Sequence, residues 1–414
     1  MNSRVNKRSI LLCALLLLLA GCQDHKADAR LALTPSQFAT LPWNDLEQSA
    51  RGTTVNFAMW AGDENRNRYF QEKVSAELKR RFDITLRIIP LGDTAEAVNK
   101  LLTEKACDKT AGGSIDMIWI NGENFRTAKQ GKVLWGPFAG HLPNIHYFDE
   151  QARGRDFGTD IEGYEAPWER AQFVIAYDSA RTPAPPRSIE ALRSWIKQHP
   201  GHFTYPAPPD FTGSVFIRHV LLQRGGGASS FQSSFDEKLY QKASAQAIDY
   251  LNDIKPFLWR HGETYPSSPS EMNRLFANGE IDFSMSYGPA FASQHIARGD
   301  FPPTTRTFVF DEGTIGNYSF LAIPFNAANI AGALAVVNFL MSPEQELDQT
   351  HFLGDIFPIG PDLLTAQQKD AVESLPKGSA TLPAIELHSH QLPEPDAQYS
   401  NRLQEDWIRK VLEK

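Results

Sequence analysis

The run Ser114-Ile115-Asp116-Met117-Ile118-Trp119-Ile120 passes directly into Asn121-Gly122-Glu123-Asn124-Phe125. Its first seven residues are almost wholly apolar, the pattern of a strand buried on both faces in a helix-covered parallel sheet. The chain then enters a helix over 124–132. Upstream the same unit recurs. Thr53–Trp60 points Val55, Phe57 and Met59 to one side with the period of a strand. Asn65–Phe82 sets Phe70, Val74, Leu78 and Phe82 four apart, one stripe of a helix. Ile84–Pro90 is a β-branched strand, and Thr94–Lys105 a helix with Val98, Leu101 and Leu102 on one face. This alternation predicts a parallel sheet with right-handed crossovers. Ligands of such sheets bind outside the carboxyl ends of the strands, which singles out the loops Trp60–Asn65 and Asn121–Asn124.

Downstream, Val133–Leu134 is a short strand, and a second α/β block follows. Gln172–Tyr177 is a strand, and Ser188 caps a helix carrying Ile189, Leu192, Trp195 and Ile196. His202–Tyr205 reads as a strand, and 206–214 leads into a helix to about Gln223. Helices fill 231–278. Glu280–Ser286, Arg306–Phe310 and Tyr318–Ile323 are further strands, and the helix Ala328–Leu340 is stopped by Ser342-Pro343. The fold class expected is α/β, and a chain of 414 residues has the length for two or three lobes.

Composition narrows the function. Hydrophobic residues are 42% and charged residues 22%, which excludes a disordered or multi-span membrane chain. The formal net charge of −8 argues against nucleic acid as the main partner. The amino terminus reads as a signal peptide over 1–21. Arg4, Lys7 and Arg8 precede the apolar run Ile10–Leu19, too short for a membrane span. Leu19-Ala20-Gly21-Cys22 resembles the bacterial lipobox, so Cys22 is expected to carry lipid, with 22–52 a tether holding one short helix capped by Thr34 or Ser36. Cys13 leaves with the signal. Cys107 then stands alone, without an intrachain disulfide, and reads as a small buried hydrophobe.

No His-Glu-x-x-His, Gly-x-Ser-x-Gly, Cys-x-x-Cys, dinucleotide or Walker pattern is present. That favours binding over catalysis, with no catalytic residue, metal or cofactor expected. What the chain offers is aromatic and polar residues at strand ends and helix starts: Trp60, Asp63, Asn121, Glu123, Trp168, Asp210, Thr212, Gly213, Ser214, Tyr287, Asn317 and Tyr318. Several have plainer readings. Trp119 and Trp195 suit a core, Ser214 an N-cap, and Asp63 a helix-dipole partner. Glycines 62, 122 and 213 at three strand–helix junctions let backbone approach a ligand closely.

The chain resembles the solute-binding proteins of bacterial ABC importers. The general carriers are the lipobox with strand Val55–Trp60, the turn Ala277-Asn278-Gly279-Glu280-Ile281-Asp282 into a strand ending at Tyr287-Gly288-Pro289, and the helix Ala331–Leu340 before Met341-Ser342-Pro343-Glu344-Gln345. Ile115–Phe125 and Tyr205–Ser214 look like the YnjB-type subgroup, often proposed to serve a thiamine-like transport system. The resemblance implies a two-lobed periplasmic-binding-protein (type II) fold with the ligand between lobes joined by hinge strands. Lobe 1 would be 53–171 plus 290–345, lobe 2 179–286, the crossings 172–178 and 287–289, and 346–414 C-terminal helices on the lobes. It implies a monomer, lipid-anchored in the periplasm or cell envelope, that hands a small molecule to permease and ATPase subunits.

Three ligand chemistries fit. A flat organic cation, such as a thiamine-like heterocycle, would use Trp60, Trp168, Tyr287 and Tyr318 as cation–π walls, with Asp63, Glu123 or Asp210 neutralising its charge. A sugar would stack on the same rings. An anion would favour Thr212–Ser214 and Arg218. Ferric iron lacks the adjacent tyrosine pair that iron binders of this group use. An exported hydrolase on the same scaffold is the reading outside transport, resting on carboxylates near aromatics.

Overall fold

Alternation in β1 (Thr54–Trp60) buries Val55, Phe57 and Met59 and leaves Trp60 at the edge. A computed structural model describes residues 33–414 apart from 233, 376 and 377; the signal and lipobox readings, Cys13 and Cys22 included, lie outside them. β1 runs parallel to β2 (Thr85–Leu91) on one side and to β3 (Met117–Ile120) on the other. The long strand β11 (Thr314–Pro324) then enters antiparallel to β3, and its far edge pairs antiparallel with β7 (Glu165–Gln172). The sheet order is therefore β2-β1-β3-β11-β7. Short strands β4 (Leu134–Trp135) and β12 (Gln391–Leu392) pair with the two ends of β11.

Helices cover both faces. The run from Glu64 to Phe82, loosened to a π-helical turn over Tyr69–Val74, buries Phe70, Val74 and Leu78 on one. The helix Ile330–Leu340, buried along almost its whole length, joins it there. Thr94–Ala106 and Gly122–Gln130 bury Ala97, Val98, Leu101, Phe125 and Ala128 on the other. Asp116 stands in this apolar setting because each oxygen is used. Oδ2 accepts from the backbone and side-chain amides of Asn56, both at 2.8 Å, and Oδ1 from the Asn329 backbone at 2.8 Å. It ties β1 and β3 to the start of the 330–340 helix.

The second sheet is antiparallel, with β8 (Val174–Asp178) between β9 (Phe283–Ser286) and β10 (Thr305–Phe308). Its core is filled by the helix Phe211–Arg224, buried from Thr212 through Leu222. Phe291, Ala292, Phe301 and Phe308 lie in this core, so 291–308 packs with the second sheet and not, as expected, with the first. The expected strand Gln172–Tyr177 is two, parted at Phe173, where the chain crosses between sheets. The crossings meet there: Gln172 donates to the Tyr287 carbonyl at 3.1 Å and Phe173 to the Ile315 carbonyl at 2.9 Å. The passage into β11 at 314–316 is a third crossing that sequence reading did not place.

Three further expectations change. No strand forms at 202–205; Phe203 and Tyr205 are buried, but the His202 and Phe203 carbonyls each accept a single bond, from Asp282 and Trp259. Residues 33–52 are not a plain tether. Two helices, Pro35–Phe38 capped by Thr34 and Trp43–Ala50, set Leu33, Phe38, Leu46 and Ala50 into the first core. Cys107 is exposed at the end of its helix, not buried. Of the C-terminal stretch, Leu353, Ile359 and Leu364 join the first core, and Tyr399, Leu403, Trp407 and Val411 the second. No described helix is long and apolar enough to cross a membrane.

His219 joins the 211–224 helix to the third crossing. It is fully buried, its Nδ1 donates to the Val215 carbonyl at 2.9 Å, and its Nε2 accepts from the Ile315 backbone at 2.8 Å. That geometry needs the neutral ring, and burial pushes its pKa down to about 3. An unfolded chain protonates this ring below about 6.5 while the fold refuses the proton. Its contribution is therefore present above 6.5 and is lost as pH falls toward 3. In urea melts, His219→Leu should flatten this acid slope and cost stability at neutral pH, where the Ile315 N–H loses its partner.

Candidate functional site

Two groups of residues gather where the first sheet's strands end toward the crossings. The first is aromatic. Trp60 is 42% exposed. It lies against the backbone of Gly62, where a Cβ would collide with the ring, so glycine here permits close packing of the indole. Trp60 stands edge-on to Trp119 at 6.3 Å, and Trp119 edge-on to Trp168 at 5.1 Å. The Arg66 guanidinium sits 5.3 Å from the Trp119 ring and pairs with buried Glu169 and with Asp355. Burial pushes the Glu169 carboxyl up against the pull of Arg66. Trp168 is a correction: it is fully buried against Phe57 and Phe70, a core residue and not an open wall. Asp63 is another, since its carboxylate caps its own helix, accepting from Asn65 and Arg66 at 2.9 and 3.1 Å.

The second group surrounds a cavity of about 430 Å³. Its walls are the hairpin of β5 (Arg155–Asp156) and β6 (Thr159–Asp160), the β11 residues Gly316–Tyr318 and Phe320, the segment Gln391–Glu394, and Gln232. Gly122, at a positive φ of 58°, opens its helix and donates its N–H to Asp156 Oδ2 at 2.5 Å. The positive φ is what favours glycine there. Asp156 Oδ1 has no partner among the described residues. Also on the cavity wall, Glu394 Oε1 accepts from Arg218 at 2.9 Å and from the Tyr287 hydroxyl at 2.8 Å, while Oε2 has no partner among the described residues. Phe211 meets the Tyr287 ring edge-on at 5.1 Å, and the Arg218 guanidinium lies 5.8 Å from Phe211 and 6.0 Å from Phe157.

Of the expected set, Asn317 and Tyr318 line this cavity and Tyr287 holds the Glu394 carboxylate on its wall. The Asn317 side-chain nitrogen is buried without a partner, and the Tyr318 hydroxyl donates to the Pro358 carbonyl at 3.3 Å. Asn121 precedes Gly122 as N-cap without a side-chain cap bond. Glu123 turns away to Arg126 and Thr127 on its own helix. The 210–214 turn does not present the open amides expected of an anion cradle. Gly213 donates to Asp210 Oδ1 at 2.9 Å and Ser214 to the Asp210 carbonyl at 2.8 Å. Gly213 is required there because its Cα abuts the Pro206 carbonyl. Asp210 and Thr212 therefore shape the helix start, and buried Ser214 keeps an unpartnered hydroxyl.

Sequence reading missed Asp156 and Glu394. Asp156 sits in a six-residue hairpin too short to show a period, though Phe157-Gly158 marks its turn. Glu394 lies between Pro393 and Pro395, a rigid extended step that could have drawn notice. The cavity lining carries Glu150, Asp156, Asp160 and Glu394 against Arg155, and Arg170, which donates to Gln391 of the wall, is paired with no carboxylate among the described residues. Burial raises Asp156, Glu394 and the Glu165 carboxyl behind them, whose two oxygens are unpartnered. Glu394 and Asp156 repel, and Arg218 is the cation that meets Glu394.

A family model for bacterial extracellular solute-binding proteins matches residues 73–377. Protein YnjB of Escherichia coli (strain K12) is 37% identical over 371 residues, covering 89% of this chain and 93% of that one. The spermidine/putrescine ABC transporter substrate-binding protein PotD of Streptococcus pneumoniae superposes with a TM-score of 0.62 at 16% identity, covering 87% of this chain and all of that one. The periplasmic binding protein AfuA of Actinobacillus pleuropneumoniae, solved with fructose-6-phosphate, gives 0.60 at 14% identity over 87% and 98%.

Proposed function

This chain belongs to the bacterial extracellular solute-binding protein family, and on that premise we propose that it captures a small organic cation between its two lobes for an ABC importer. The observation that carries this ligand class is a pair of buried carboxylate oxygens at one cavity, Asp156 Oδ1 and Glu394 Oε2, neither of which meets a donor among the described residues. Buried carboxylates without partners are costly, and an ammonium or heterocyclic cation supplies both charge and donors. A thiamine-like cation fits this chemistry, as does an amine such as the spermidine or putrescine for which PotD is named. A phosphate ester like that bound to AfuA would instead bring negative charge to Asp156 and Glu394. A neutral sugar offers hydroxyl donors but leaves the charge unmet. Calorimetric titration with thiamine, spermidine, glucose and fructose-6-phosphate tests the ranking: heat of binding from a cation is expected, and binding of the phosphate ester alone would refute it.

Closure of the lobes on the cation would give the form a permease reads. Lipid on Cys22 would hold the monomer at the envelope membrane, in the periplasm, and radiolabelled palmitate should enter wild type but not Cys22→Ala. Trp60→Ala should weaken binding of a ring-bearing cation such as thiamine by about 1–2 kcal/mol, the scale of a desolvated ring contact. Because the residue is 42% exposed, the apo melting temperature should barely move. A large apo loss would make Trp60 core.

A further inference from the structure

The partly open Trp60 ring ends β1, and Asp156 is held by Gly122 two residues past the end of the neighbouring β3; from this juxtaposition of strand ends we infer that the ligand is bipartite. A flat ring lies on Trp60, and a cationic group, joined to it by a spacer of a few bonds, reaches Asp156 and Glu394. This rests on the cation reading above and narrows it.

The register fixes the spacing. Ala58 is level with Ile118 in the parallel β1–β3 pair, which puts Trp60 level with Ile120. Gly122, whose N–H holds Asp156, follows two residues later. With strands about 4.8 Å apart and a rise of about 3.3 Å per residue, the Trp60 and Gly122 backbones are roughly 8 Å apart. That is a distance one small molecule can span.

The two ends ask for different chemistry. At Trp60 the ring lies against Gly62 and meets Trp119 at its edge. Its neighbours leave 42% of the residue in solvent, the setting of a stacking surface. Arg66, beside the neighbouring Trp119, is spent on that ring, Glu169 and Asp355. At the cavity the demand is charge. Asp156 is 2% exposed and Glu394 7%, each with one oxygen unpartnered. Arg218 answers only Glu394 Oε1, Arg155 on the hairpin is paired with Asp160, and Arg170 is bonded to Gln391 and not to either carboxylate. A purely aliphatic amine would satisfy the carboxylates and leave the indole bare; a neutral aromatic would do the reverse.

The test titrates the full chain with three probes: butylamine (charge, no ring), 2-phenylethanol (ring, no charge) and phenethylamine (both). Phenethylamine should bind about tenfold or more tighter than either partial probe. Trp60→Ala should bring it down to the butylamine level without changing butylamine. Asp156→Asn should weaken both amines and spare 2-phenylethanol, with circular dichroism melts showing that both variants fold. Equal affinity for the two amines, unmoved by Trp60→Ala, would overturn the bipartite ligand and leave the cation reading standing. Failure of both amines to bind would overturn the two together.

Discussion

Arg218→Leu is expected to lower the unfolding free energy by about 3–5 kcal/mol, the cost of stranding one member of a buried ion pair. Arg218 and Glu394 have side chains only 3% and 2% exposed, and Arg218 donates to Glu394 at 2.9 Å. Without the guanidinium, Glu394 keeps the Tyr287 hydroxyl as its donor and must either hold an unmatched charge or take up a proton. Urea melts near neutral pH measure the loss. Adding Glu394→Gln to Arg218→Leu should recover part of it, because the stranded charge is then gone. The pair joins the second lobe's long helix to the C-terminal segment, so a loss below about 1 kcal/mol, the scale of a surface pair, would show that it does not hold those elements together.

Asp156→Asn and Glu394→Gln should each weaken cation binding by about 1.5–3 kcal/mol, roughly 10- to 150-fold, the value of a hydrogen bond to a charged group. Both substitutions preserve shape and remove charge. Asp156→Asn also weakens what the Gly122 N–H meets, so its apo melting temperature should be compared with wild type. In the absence of ligand, Asp156→Asn relieves the repulsion between Asp156 and Glu394, and its stability should fall little or rise. Loss of affinity together with unchanged or higher apo stability is the signature of a residue kept for binding.

The first sheet was legible where periodicity carried the reading. β1 and β3 announce themselves by alternation and by an unbroken apolar run, and the helices between them by four-residue spacing. The place of β11 was not legible. Thr314–Pro324 looks like any buried strand, and nothing in its side-chain pattern says that it enters antiparallel between β3 and β7. The same gap misplaced 291–308, whose sheet partner β8 lies more than a hundred residues earlier in the chain. Cys107 failed for a local reason: the helix ends at Ala106, so the residue caps the helix instead of facing inward. At the site, the rule that ligands gather beyond strand ends pointed only to the loops 60–65 and 121–124, while Asn317 and Tyr318, which line the cavity, lie near the start of a predicted strand, outside that rule. It missed Asp156 and Glu394 because a short hairpin and a proline-bound segment bring them in, and neither carries a period. Trp168 misled because a tryptophan near a predicted strand end has the same sequence appearance whether its ring faces a cleft or the core.

Thermal melting with a panel of small molecules tests the central claim most directly. A cation present at about 100 times its dissociation constant should stabilise the folded chain by about 2.7 kcal/mol and raise its melting temperature, while glucose, phosphate and citrate leave it unchanged. A rise produced by sugars or oxyanions, with thiamine, spermidine and simple amines inert, would contradict the account.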